Sequence, residues 1–238
     1  MDAEGGEPGD REVYDADALE ELYTALKAEA GVSVGKLVRL VERMSSSEMS
    51  KADLNAYRQG RRLWKRLREE VVPVMHFLDK SYPPEARVRF PLDSGTGDAF
   101  VWIEGQKPIG LEVTGALARN EVEVARNMAE KGVVAGFLGL QDNAPQSRFD
   151  AAKRRGRVFH SSEAVTNTLE AGIRRQLEKK DRPEYGGFIL IVRCSLISSP
   201  RMTEADWQNR LGSEASALPF SEVYLVDAAS GSRIFRLK

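Results

Sequence analysis

Apolar residues recur at helical spacing from Asp17 to about Asp79, and then the period changes. Leu19, Leu22, Tyr23 and Leu26 form one face of a first helix that Asp15 or Asp17 can cap and Gly31 stops. Leu37, Val38, Leu40, Val41 and Met44 mark a second, short helix that breaks in the polar run SSSEMS. Ser50 is placed to cap a third, with Leu54, Tyr57, Leu63, Trp64, Leu67 and Val71 on its buried side and Pro73 as a kink or restart. Beyond the Tyr82-Pro83-Pro84 turn the pattern alternates. Val88 and Phe90 are interleaved with Arg87 and Arg89; Phe100 and Trp102 fall in a second strand, and Ile109, Leu111 and Val113 in a third. Glu104-Gly105-Gln106-Lys107 supplies the turn between the last two.

The second half returns to mixed signals. A helix is expected from about Arg119 to Lys131, whereas GVVAGFLGL (132–140) fits a buried strand or a helix equally. LQDNAPQS reads as a loop. A long helix capped by Ser161 or Ser162 carries the stripe Val165, Leu169, Ile173 and Leu177 and ends before Pro183. Phe188 to Val192 is the most apolar strand and reads as central. A capped helix from Thr203 to Leu211 and a closing hairpin around Ala229-Ser230-Gly231-Ser232 complete the chain.

Composition narrows the function classes little. The 238 residues fit one large α/β domain or a smaller one with a helical extension, and a net charge of −1 advertises no global attraction to nucleic acid or membrane. One cysteine, Cys194, excludes an internal disulfide and suits a reducing compartment. The start, MDAEGGEPGDRE, is acidic and glycine-rich, unlike a secretory signal, and reads as a disordered tail. The expectation is a soluble, cytoplasmic protein with no membrane partner.

Two basic clusters change that picture locally. The third helix carries Arg58, Arg61, Arg62, Lys65, Arg66 and Arg68, and a later run carries Lys153, Arg154, Arg155 and Arg157. Each is either a solvated face or a surface that contacts phosphates and releases counterions. GVSVGK (31–36) has the wrong glycine spacing, and Leu37 where a phosphate loop needs Ser or Thr. His76, His160 and Cys194 stand alone, and no spacing fits zinc or a nucleophile elbow.

Asp98 and Glu112 remain. They lie about equally far from the turn at 104–107, so the hairpin sets them side by side. Two carboxylates on adjacent strands, with the Val113 carbonyl as a third oxygen, can hold Mg²⁺ or Mn²⁺ for phosphate chemistry. The alternative is that Asp98 caps its turn and Glu112 faces solvent. Against that, Glu112 sits between Leu111 and Val113, where a carboxylate costs stability unless it has a partner or a cleft.

DAFVWIEGQKPIGLEVT resembles the core of the PD-(D/E)XK nuclease superfamily, in which an Asp, a hairpin and a Glu-x-Lys form the motif, and the order of elements over 66–238 is similar too. This chain has Thr114 at the usual lysine position. LEAGIRRQLEKKDRPEY resembles the family's following helix, which in some members supplies the lysine; the resemblance implies Gln176 as its polar residue and Lys179 as the lysine substitute, with Lys180 and Lys107 as further candidates. Glu69 or Glu70 is a candidate additional acidic ligand.

What the resemblance implies is an α/β restriction-endonuclease-like α-β-β-β-α-β core with a mixed central sheet (66–238), preceded by an α-helical extension (15–65) and a tail (1–14). The expected function is Mg²⁺- or Mn²⁺-dependent hydrolysis of DNA, with RNA as an alternative, by Asp98, Glu112, Gln176 and Lys179. Arg61, Arg62, Lys65, Lys153, Arg154, Arg155 and Arg157 are the expected backbone contacts, in defence against foreign DNA or in repair. The alternative is a non-catalytic module of the same fold that binds nucleic acid or a partner protein. In either case the N-terminal helices are a candidate surface for a homodimer or partner subunit.

Overall fold

The computed structural model describes residues 14–93, 95–132, 137–155, 158–228 and 230–238. It is a mixed α/β structure built on a seven-stranded sheet whose spatial order follows the chain, β1-β2-β3-β4-β5-β6-β7. The strands are β1 (Val32–Ser33), β2 (Arg87–Arg89), β3 (Ala99–Trp102), β4 (Ile109–Gly115), β5 (Ile189–Cys194), β6 (Glu222–Asp227) and β7 (Ile234–Arg236). The first four run antiparallel, β4, β5 and β6 run parallel, and β7 turns back on β6. Parallel neighbours need a crossover. Helix α8 (Ser162–Lys179) lies within the connection from β4 to β5, and α9 (Glu204–Ala217) joins β5 to β6. All six residues of β5 are buried, as its near-continuous apolar sequence predicts for a central strand.

The N-terminal segment does more than extend the domain. Helices α1 (Ala16–Lys27) and α2 (Val34–Ser46) put Leu19, Leu22, Leu26, Leu37 and Val41 into the same apolar cluster as Val88, Val101, Leu111 and Ile191 of the sheet. Between them β1 adds an edge to β2, with Val32 opposite Val88. Two residues are too few for periodicity to detect, and that strand was not expected. Tyr14, assigned to the tail by sequence, is buried against Trp64 with ring centroids 6.1 Å apart. Residues 1–13 lie outside the described residues.

The long third helix expected from Ser50 is interrupted. Helix α3 (Lys51–Arg58) ends at Gly60, whose φ of +59° is the left-handed conformation that glycine adopts without strain. The Arg61 N–H bonds the Ala56 carbonyl at 2.8 Å and the Gly60 N–H bonds Tyr57 at 3.0 Å, a Schellman stop. The chain restarts as α4 (Trp64–Arg66), widens into a π-helical turn over Leu67–Val71 and continues as α5 (Val72–Ser81). Pro73 accounts for the widening: it lacks an N–H, and its ring would press on the carbonyl four residues back, that of Glu69. The helix therefore takes the i to i−5 bond from Val72 to Leu67 and runs on without a break.

Helix α6 (Ala118–Lys131) appears where the spacing places it, and α8 and α9 carry the expected caps at Ser161 and Thr203. The basic run after Phe149 is not simply a turn, because 146–154 forms α7 (Gln146–Arg154) with Phe149 fully buried. Of GVVAGFLGL, residues 133–136 lie outside the described residues, and 137–140 are neither helix nor strand. Cys194 is the buried core residue expected, its thiol pushed up by burial.

A second apolar cluster covers the opposite face of the sheet, where α8 and α9 pack Leu169, Ile173, Leu177, Trp207 and Leu211 on Leu190, Val192 and Leu225. The ring of Phe188 lies across Gly110 of β4, wedged between Phe100 and Tyr185. A methyl group at 110 would stand well inside contact distance of three ring atoms. Gly110→Ala is therefore expected to lower stability by about 1–3 kcal/mol, read from the midpoint of urea unfolding. An unchanged midpoint would show that the ring has room to move.

Candidate active site

The hairpin register creates the site. Ala99 pairs with Leu111, and the Asp98 N–H donates to the Leu111 carbonyl at 2.8 Å, so β3 begins opposite the third of the seven residues of β4. Beyond Leu111, β4 has β5 on one side and no β3 residue on the other. Asp98 fills the start of that open edge. Its Oδ2 accepts the Val113 N–H at 2.7 Å. A strand residue sends its N–H and C=O to the same side, so the Val113 carbonyl faces the open edge as well. Glu112, one residue earlier, is 6% exposed. Asp98, Glu112, Val113 and Thr114 all line one cleft of about 250 Å³.

The lysine bonded to a carboxylate of this cleft's strand edge is Lys180. Its Nζ donates to Glu112 Oε1, and Tyr185 Oη donates to the same oxygen at 3.2 Å. Burial pulls the Lys180 pKa down, but the Glu112 carboxylate outweighs it and the net shift is upward. Lys179, which the resemblance singles out, is exposed and is not among the residues that line the cleft. On a helix, positions three and four beyond Gln176 fall about 60° and 40° to either side of it. The sheet lies on the side of the fourth. Gln176 itself is buried, and its Oε1 accepts the Thr114 hydroxyl at 3.1 Å, so the helix's polar residue and the motif's threonine do meet. Lys107 stays exposed in the hairpin turn.

Glu69 and Glu70 enter the cleft from the π-helical turn, together with Lys65. Burial and then the charge of Asp98 raise the Glu70 pKa to about 7. Burial and then Glu112 raise that of Asp98 to about 6, even though the Val113 N–H and Lys180 favour its charged form. Asp98 thus feels the charge of both Glu70 and Glu112, and Lys180 is bonded to the latter.

The expected phosphate contacts divide. Arg61 and Arg62 are exposed beside α4, and Lys65 is exposed at the cleft mouth, 3.9 Å from Glu69. Arg154 and Arg155 are exposed at the end of α7, some distance along the chain from the cleft residues. Lys153 is spoken for: its Nζ bonds Glu123 at 2.6 Å and Asp150 at 3.1 Å, with the side chain largely buried, so it ties α7 to α6. Arg157 lies outside the described residues. Tyr185 and Arg193, which also touch the site, escaped the sequence reading because an aromatic after Pro183 and an arginine in an apolar strand carry no motif.

Among the described residues, no three His, Cys, Asp or Glu side chains converge closely enough to enclose an ion by themselves. Mg²⁺ does not need such a cage, since it keeps several waters and uses one or two carboxylates. The oxygens at this strand edge are of the hard kind Mg²⁺ takes, and burial first, then neighbouring carboxylates, disfavours Asp98 and Glu70 as anions. No helix among the described residues is long and apolar enough to cross a membrane. No family model matches the chain, and no curated protein or solved structure matches it.

Proposed function

We propose that the chain is a metal-dependent nuclease of restriction-endonuclease-like fold that hydrolyses phosphodiester bonds of DNA, acting in the cytoplasm on foreign or damaged DNA. The observation that supports this reading is the open edge of β4, where Asp98, Glu112, Val113, Glu70 and Lys180 line one cleft, Asp98 bonded to the Val113 N–H and Lys180 to Glu112. Asp98, Glu112 and the Val113 carbonyl would hold Mg²⁺ or Mn²⁺, which when bound supplies a polarised phosphate and an acidified water. Lys180 would orient that water and neutralise charge on the phosphate, in place of a lysine at Thr114. Gln176 holds the Thr114 hydroxyl and so keeps the far side of the strand fixed. Lys65 at the cleft, with the exposed Arg61, Arg62, Arg154 and Arg155, would neutralise backbone phosphates.

The test is cleavage of plasmid, linear duplex, single-stranded DNA and RNA by the intact chain, with Mg²⁺, Mn²⁺ or EDTA. The expected result is cutting of a DNA substrate with either metal and none with EDTA. Failure on all four substrates with both metals would sink the enzyme reading. A second reading is favoured by the pairing of Glu112 with Lys180 and Tyr185, which leaves that carboxylate satisfied without a metal. In it the fold is a non-catalytic module that binds nucleic acid or a partner protein, with α1 and α2 as the partner surface. Binding without cutting in the same assay would support it.

A further inference from the structure

Folded chains leave few buried donors without acceptors, and those that remain need an explanation. Arg193, on central strand β5, is 4% exposed. Its Nη1 donates to Glu121 Oε2 at 2.7 Å, an oxygen that Arg68 Nη2 also uses at 2.6 Å, while Arg68 Nη1 meets Glu69 at 3.4 Å. Two guanidinium groups thus converge on one carboxylate. Arg193 Nη2 has no acceptor among the described residues.

The sheet register brings Arg193 to the wall of the cleft, with Nη2 itself closed to solvent beside Gly115. Arg193 pairs with Gly115 across the parallel β4–β5 ladder. A Cβ at Gly115 would stand 3.4 Å from Arg193 Nη2, 3.8 Å from its Nε and 3.2 Å from Ala118 Cβ. Gly115 is not among the residues of positive φ, so its backbone does not call for glycine. What glycine supplies there is a close approach of the strand to the guanidinium, which a methyl group would crowd. Both residues line the same cleft as Asp98, Glu112 and Lys180.

We infer that Arg193 Nη2, reached past the bare Cα of Gly115, receives a phosphodiester oxygen of the strand lying in the cleft, beside the phosphate to be cut. The inference rests on the nucleic-acid reading above and adds the residue that fixes the strand's register. An arginine that keeps one edge on Glu121 and offers the other is already oriented, so little freedom is lost when the phosphate arrives.

The experiment is binding of a fluorescent oligonucleotide in EDTA, over a series of salt concentrations, by the wild type, Arg193→Lys and Gly115→Ala. Gly115→Ala keeps the guanidinium and only covers it, so it carries the test should Arg193→Lys fail to fold. Both variants are expected to bind about tenfold more weakly, with a salt slope lower by about one charge. Wild-type affinity and slope in Gly115→Ala, with its melting temperature intact, would overturn the inference, as would failure of the wild type to bind. The two readings fail separately. Cleavage by the wild type with Gly115→Ala unaffected removes this phosphate contact alone. Binding that depends on position 115 without cleavage on any substrate removes the nuclease alone.

Discussion

Glu112→Gln and Lys180→Met should each lower metal-dependent cleavage by about two to three orders of magnitude, the usual cost of removing one preorganised charged group from a reacting centre. Lys179→Met should leave cleavage unchanged, because that side chain is exposed and does not line the cleft. Each active-site change also breaks a largely buried ion pair, whose loss on one side typically costs about 3–5 kcal/mol. A drop in activity could then come from instability alone. The double variant separates the two effects. With both charges gone the uncompensated group disappears, so its melting temperature should return toward that of the wild type while its activity stays at the level of the single variants. Recovery of cleavage in the double variant, or full activity in Lys180→Met, would exclude Lys180 from the chemistry.

Asp98→Asn should make the protein more stable while removing its activity. The Asp98 pKa rises from an ordinary carboxylate value to about 6 because burial and then Glu112 disfavour the charge. The unfolded chain releases this proton near pH 4, whereas the folded chain keeps it until about pH 6. The native state therefore binds more protons across that window, and stability falls as pH rises through it. Glu70, raised to about 7, extends the decline toward neutrality. At pH 7.5 the aspartate-to-asparagine change should raise stability by about 1–3 kcal/mol, since one pKa unit corresponds to about 1.4 kcal/mol and the neighbours relax in part. Below pH 4 the two proteins should melt together. Adding Mg²⁺ at pH 7.5 should stabilise the wild type and not the variant. Equal melting temperatures at pH 7.5 without metal would show that Asp98 carries no electrostatic strain.

Much of this was legible in the chain. Alternation of apolar residues placed β3 and β4, and counting from the turn at 104–107 set Asp98 beside Glu112. The five-residue apolar run at 188–192 marked β5 as central, and Ser161 and Thr203 marked two helix starts. Other features have no periodic signature. Strand β1 is two residues long, and α7 is polar apart from Phe149. The choice between Lys179 and Lys180 turns on about 100° of helix rotation relative to the sheet, which tertiary packing decides. Arg193 reads as an interruption of an apolar strand until the register sets it against Gly115. The restriction to one open edge likewise depends on where β3 begins, and strand ends are the least readable property of a sequence.

Pro73 is buried in α5 and touches none of the chemistry, yet the π-helical turn ahead of it decides which way Glu69 and Glu70 face. A wider turn accommodates one residue more than an α-helix would over the same rise, so everything upstream is rotated relative to everything downstream. The acidity of the cleft is in this sense inherited from a proline in the core. Positions 73, 69 and 70 are thereby coupled through the backbone alone: without the proline the turn could close to α-helix and swing both acids round the helix axis.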